Sequence, residues 1–255
     1  MRDFTLDTYQ RLLATLHDAG YQGIAFEDYM TNHDRGKFVI LRHDVDKLPL
    51  NSVATARIER EMGMRASYYF RIVPQSNNPT AIRDIAAMGH EIGYHYEDFS
   101  LTNGQAEKAW KHFCESLDYF RQYYPVRTAC MHGAPTSKYD SRELWQTHDY
   151  HTAGIIGEPY YDADFDAMLY LTDTGRCWDG YKVSLRDKIP THQNEWVKRG
   201  WSFHSTSDIM KRISILPDQI MMTTHPQRWT NNPLLWSKEF VLQTMKNCVK
   251  YYLAK

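Results

Sequence analysis

The 255-residue sequence is most informative at first through what it lacks. Its four cysteines, Cys114, Cys130, Cys177 and Cys248, form no C-x-x-C pair, which excludes a zinc ribbon and a dithiol redox motif. Their wide spacing reads as scattered thiols of a reducing compartment. No apolar run approaches the roughly 18 residues that a spanning helix needs. The N-terminal MRDFTLDTYQRLL has no apolar core of a secretory signal, so a cytoplasmic protein is expected. A basic excess is missing too: 30 Lys and Arg stand against 31 Asp and Glu. The net charge of −1 supplies no basic field for nucleic acid or for an anionic membrane, and no membrane insertion is expected. There is no P-loop, no G-x-G-x-x-G and no G-x-S-x-G, which argues against nucleotide binding and an α/β-hydrolase elbow. No Gly/Ser linker, internal repeat or low-complexity tract marks a boundary, so residues 1–255 are expected to form one domain.

What is present is organised around KFVILRHDVD, residues 37 to 46. Phe38 to Leu41 are apolar and rich in β-branching, which predicts a strand buried on both faces. Strand alternation then puts Asp44 and Asp46 on one side, with Arg42 beside them. Two carboxylates so close repel each other and persist only around a cation or a shared proton. Along the rest of the chain, strands and helices alternate. Thr5 caps a first helix to about Ala19, and Ser52 opens a helix to Met62. Residues 66–70, 90–97, 126–133 and 219–225 read as strands, as do 153–157, 168–171 and 181–185. Helices are expected from Pro79, from Asn103 to Pro125, from Ser141 to His148, from Ser205, and from Asn232 to about Leu253. That order predicts an α/β architecture on a mainly parallel sheet.

Four strand ends carry polar clusters: RHDVD, GYHYED, CMHGAP and TTHPQRW. Parallel strands bring such ends to one rim, so a shared site is expected there. HEIGYH is not the zinc-protease H-E-x-x-H, because His90 and His95 are five apart and fall on opposite strand faces. Glu91, Gly93, His95 and, if the strand continues, Glu97 share a face instead. Histidine with carboxylates is the ligand set of a divalent metal site with open positions. Cys130 lies near His132 without an orienting third group, which disfavours a cysteine nucleophile. Aromatic residues reach 14%, with 18 Tyr and 7 Trp, a supply that suits stacking on sugar-like ligands.

Taken in order, these motifs resemble the polysaccharide deacetylase (NodB-type, carbohydrate esterase 4-like) superfamily, over residues 38 to 229. RHDVD resembles the first motif, which implies Asp44 as catalytic base and Asp46 as metal ligand. GHEIGYH, residues 89 to 95, resembles the second and implies His95 as a ligand. HGAP, 132 to 135, stands in the third motif's place. DTGRCW, 173 to 178, resembles the fourth, with Trp178 as a groove wall. MTTHP, 222 to 226, resembles the fifth, with His225 as general acid. The resemblance implies a distorted (β/α) barrel of about seven mainly parallel strands. It also implies metal-assisted hydrolysis of an acetamide, with zinc the expected ion and nickel or cobalt open. The substrate implied is an N-acetylated sugar or polysaccharide intermediate, with His132, Trp178, Trp229 and Tyr96 as binding candidates. Two departures stand out. The family's second metal histidine is replaced by Phe99, which leaves Glu97, Asp98 or His132 for the third ligand. The third motif's arginine is also missing. Two alternatives follow from these: a carbohydrate-binding protein that kept the fold and lost the chemistry, and a small amide or ureide hydrolase. Arg42 or His43 is expected to hold Asp44 ionised, and Asp173 is a candidate to raise the pKa of His225.

Overall fold

The computed structural model describes residues 2–32, 36–134, 137–182, 184 and 186–253. Among these residues seven strands form one sheet: β1 (Gln22–Ile24), β2 (Phe38–Val45), β3 (Ser67–Phe70), β4 (Glu91–Tyr96), β5 (Ala129–Met131), β6 (Leu169–Thr172) and β7 (Gln219–Thr224). Every strand pair is parallel. The order is β5-β4-β3-β2-β7-β6, with β1 as an additional partner of β2. Helices pack around this curled, open sheet, so the architecture is an α/β distorted barrel.

β2 sits at the centre because its sequence allows burial on both faces, and all eight of its residues are buried. Its first half, Phe38–Ile40, pairs with β1, and its second half, Arg42–Val45, pairs with β3 on the same side. β7 covers the other edge along Phe38–His43. Burying Phe38, Val39, Ile40 and Leu41 contributes about 1.5–3 kcal/mol per side chain. After Val45 the chain leaves the strand. Leu48 takes a left-handed conformation (φ 52°) and Pro49 occupies the first helical turn, where its missing N–H costs no hydrogen bond. Asp46 and Lys47 are thereby held on the rim at the C-terminal end of the sheet.

One inward layer is set by register: Asp44 lies beside Tyr69, which lies beside Gly93. A Cβ at Gly93 would overlap the Tyr69 ring, so the glycine makes room for the tyrosine and brings β4 close.

The N-terminal helix runs Leu6–Asp18 with Thr5 accepting a hydrogen bond from the Thr8 N–H, as its sequence predicts. Ser205 and Asp208 form the expected capping box. Other boundaries differ. The helix expected from Ser52 begins at Pro49, and the one expected from Asn103 begins at Ala106, because Asn103 and Gly104 both adopt positive φ. Residues 153–157 are not a strand; only Gly157 pairs, in an isolated bridge to Thr128. The strand expected over 181–185 is a 3₁₀ turn at Gly180–Lys182, and Val183 and Leu185 lie outside the described residues, as does Pro135 of HGAP. The helix Pro190–Lys198 and the three-residue β1 carry too little periodicity to be read from sequence.

Candidate active site

Asp44, Asp46, His95, His132 and His225 line one open cleft at the C-terminal rim of the sheet. β2 supplies Asp44, the turn after it Asp46, β4 His95, the turn after β5 His132, and the residue after β7 His225. The expected convergence of four strand ends is therefore present.

Asp44 is gripped from its own strand. Arg42 donates from Nε to Oδ1 at 2.9 Å and from a terminal nitrogen to Oδ2 at 2.7 Å. The two residues are neighbours on one strand face, which is why a separation of two can build this fork. His43 points the other way, to Glu59 at 2.6 Å and Thr224 at 2.6 Å. Of the two partners expected for Asp44, Arg42 fills the place.

His95 Nδ1 lies 2.9 Å from the Cys130 carbonyl oxygen. A carbonyl only accepts, so Nδ1 carries the proton and Nε2 presents its lone pair to the cleft. Around that lone pair, His95 Nε2 and Asp46 Oδ1 are 3.7 Å apart, Asp46 Oδ1 and His132 Nδ1 are 3.1 Å apart, and His132 Nδ1 and His95 Nε2 are 3.3 Å apart. Tetrahedral ligands at about 2.0–2.1 Å from an ion are separated by about 3.3 Å, so this triangle has the edges of one face of such a site. Asp46 Oδ1 is buried and accepts no well-formed hydrogen bond. An orphaned buried carboxylate oxygen facing two imidazole nitrogens fits a divalent cation. Burial would push the Asp46 carboxyl up, but His132, then His95 and His225, hold it well below the usual range.

A second trio, Asp44, His95 and Cys130, is similarly close. It fits a cation poorly: Arg42 occupies both Asp44 oxygens, and burial pushes the Cys130 thiol well above its ordinary value.

Glu97, placed by strand alternation among the ligands, is not in the triangle. β4 ends at Tyr96, and Glu97 turns out of the strand to cap the short helix Asp98–Leu101. Its Oε1 takes Arg71 Nε at 2.7 Å, and its Oε2 is 3.8 Å from His132 Nε2. Asp98 is buried against Tyr94 and His112. Phe99 is buried and packs edge-on against Tyr139.

His225 belongs to a separate cluster on the same cleft. Its Nε2 is 3.8 Å from Asp46 Oδ2, and its Nδ1 is 2.6 Å from Asp173 Oδ1. Asp173 also accepts from the His225 backbone N–H at 3.0 Å, from Arg228 at 2.6 Å and from the Trp229 indole at 2.7 Å. Burial opposes ionisation of Asp173, but Arg228 and His225 outweigh it and lower its pKa to about 2. For His225, burial and Arg228 act downward, yet Asp173 and Asp46 win and its pKa is raised. The Asp173 partnership was anticipated from sequence. Arg228 was not, although its place three residues after His225 is the local signal for it.

The two tryptophans expected as sugar walls are both buried. Trp178 donates to Thr206 at 2.9 Å and lies outside the cleft. Trp229 is spent on Asp173. Tyr96 is buried, with its hydroxyl accepting from Trp145 at 2.8 Å. The cleft walls are instead polar residues that the sequence did not single out. Tyr160 and Asp187 hydrogen-bond at 3.1 Å, and Arg186 donates to the carbonyls of Gly133 and Ala134 at 2.7 and 2.9 Å.

No protein-family model matches the chain, and no curated protein sequence matches it. Among solved structures, the chain is similar to a family 4 carbohydrate esterase from Streptomyces lividans in complex with acetate. That match has 15% identity and a TM-score of 0.43, covering 83% of this chain and 90% of the other. A second is the Xyl-CE4 domain of a multidomain xylanase from the hindgut metagenome of Trinervitermes trinervoides, at 12% identity and TM-score 0.42, covering 85% of each chain. A third is PdaA of Bacillus subtilis, at 10% identity and TM-score 0.40, covering 92% of this chain and 84% of the other. The Streptomyces and Bacillus proteins are both described as family 4 carbohydrate esterases, the family type that the ordered motifs of this sequence resemble.

Proposed function

We propose that the chain is a metal-dependent hydrolase of a C–N amide bond that removes the acetyl group from an N-acetylated sugar or polysaccharide intermediate. The observation that carries this reading is the triangle of Asp46 Oδ1, His95 Nε2 and His132 Nδ1, open to a cleft that also holds Asp44 and His225. A divalent ion bound there, zinc in the first instance, would polarise the amide carbonyl and ease deprotonation of water.

The remaining chemistry belongs to the side chains. Asp44 is the proton acceptor, fixed in place by the Arg42 fork. His225 is the proton donor to the departing amine. Asp173 holds Nδ1–H of its ring, turns Nε2 to the cleft and favours the charged form. Arg228 and Trp229 hold Asp173 in turn. Asp187 and Tyr160 on the wall offer oxygen acceptors and donors suited to sugar hydroxyl groups.

The reading as a carbohydrate-binding protein without activity drew on Phe99 in place of a histidine. His132 offers a third ligand atom without it, which removes that motive. The test is acetate release from N-acetylglucosamine oligomers by the zinc-loaded protein. Asp44→Asn should lower turnover by about 10² or more while metal content is unchanged. Wild-type-like turnover by that variant would remove Asp44 from the role. A zinc-loaded wild type that releases no acetate from any N-acetylated glycan would reject the reading.

A further inference from the structure

The turn after β7, HPQRW, holds one polar side chain that the cluster around His225 does not use. Arg228 and Trp229 go to Asp173, and His225 faces the cleft. Gln227 is 4% exposed and stands behind the cleft wall, where its Nε2 donates to Asp46 Oδ2 at 3.2 Å. The sheet brings the two together. His43 and Thr224 are the last register pair of β2 and β7, and Asp46 and Gln227 each lie three residues beyond that pair.

The two oxygens of Asp46 are thereby distinguished. Oδ1 faces His132 Nδ1 and His95 Nε2, at 3.1 and 3.7 Å. Oδ2 takes the amide, and His225 Nε2 lies 3.8 Å from the same atom. Arg71 donates to the Asp46 backbone carbonyl at 3.3 Å, so the freedom left to this residue is rotation of its carboxylate. Rotation toward His225 would trade the ligand triangle for a bond to that ring. The amide blocks this turn. Being an uncharged donor, it orients the carboxylate without neutralising it, so Oδ1 keeps its electron density for a cation. Fold stability does not explain an amide here. Gln227 Oε1 is buried and accepts no hydrogen bond from the described residues, which is unfavourable for a polar atom. We infer that Gln227 is a positioning residue of the metal site: it keeps Asp46 turned to His95 and His132 and away from His225. The inference rests on the metal site of the proposed function and on no particular substrate.

Zinc affinity of the full chain, read by competition with a chromogenic chelator, tests it beside the thermal midpoint of the metal-free protein. Gln227→Met and Gln227→Leu keep bulk at this position and remove the donor. Each should weaken zinc binding by about ten- to a hundredfold. The metal-free midpoint should stay within about 2 °C of wild type, because the lost bond to Asp46 and the removed orphan oxygen act in opposite directions. His225→Ala should raise zinc affinity by at least about threefold more in the Gln227→Met background than in wild type, since the competing ring is then gone. Unchanged zinc affinity in both variants would overturn the inference and leave the ligand triangle standing. Weaker binding with a midpoint below that range in both variants would make Gln227 a packing residue and overturn it as well. Equal gains from His225→Ala in the two backgrounds would do the same. A wild type without measurable zinc affinity would remove the metal site, and this inference with it.

Discussion

Replacing His132 with alanine should abolish metal-dependent stabilisation, and replacing Glu97 with glutamine should leave it in place. The size of the effect follows from linkage. Zinc at a hundred times its dissociation constant stabilises the folded form by about 2.7 kcal/mol. Unfolding entropy of about 2.1 cal/mol/K per residue gives roughly 0.54 kcal/mol/K for a chain of 255 residues. The midpoint of thermal unfolding should therefore rise by about 5 °C on loading. His132 Nδ1 closes two of the three edges of the ligand triangle, at 3.1 and 3.3 Å. Without it the affinity should fall by about a hundredfold or more, so the same zinc concentration stabilises by only about 0.4 kcal/mol, under 1 °C. Glu97 is committed to Arg71, and its nearest oxygen is 3.8 Å from His132, so its amide variant should keep nearly the full shift. Differential scanning calorimetry with zinc and then with chelator measures this, alongside elemental analysis. A shift retained by His132→Ala and lost by Glu97→Gln would overturn the ligand assignment. No shift in the wild type would overturn the metal site itself.

Asp173→Asn should lower turnover by about 10² to 10⁴ with metal content unchanged, because the His225 ring loses the charge that orients it. Asp173 also sets an acid limit. Its pKa is lowered to about 2, so its stabilising effect is complete above the unfolded value near 3.8 and fades as pH falls through 2. That contribution is on the order of 2 kcal/mol, and acid unfolding of Asp173→Asn should lack the corresponding slope between about pH 4 and 2. Gly93→Ala should cost about 1–3 kcal/mol in urea unfolding, since the new methyl meets the Tyr69 ring, which Thr128 pins by a 3.0 Å hydrogen bond.

The central strand was legible because FVIL admits few alternatives and because period-two alternation set Arg42 and Asp44 side by side. The same rule separated His90, which lies 2.8 Å from the Ala56 carbonyl, from His95 in the cleft. It failed two residues later. Alternation carried Glu97 onto the ligand face, but the backbone leaves extended geometry there (φ −143°, ψ 22°), and the side chain turns to Arg71. His132, one of three candidates for the third ligand in the sequence, is set apart from Glu97 and Asp98 only by β5 pairing beside β4, a long-range contact that no local pattern encodes. The tryptophans misled for a related reason: indoles near a polar motif can serve the core or brace a carboxylate as readily as face a ligand, and Trp178 and Trp229 do so.

The threefold pairing of the central strand has a consequence for how the cleft adapts. A segment hydrogen-bonded to neighbours along both edges opens only when the whole sheet does, so its amides should be among the last to exchange with solvent. Arg42 rides on that segment, and Asp44, just beyond it, is paired to β3 and gripped by Arg42, so neither drifts to suit different guests. Accommodation must come from the connecting stretches around Gly133 and Asp187, where loops rather than ladders carry the walls. Variation in what the cleft accepts should therefore map to those stretches, while the reacting groups stay where the scaffold holds them.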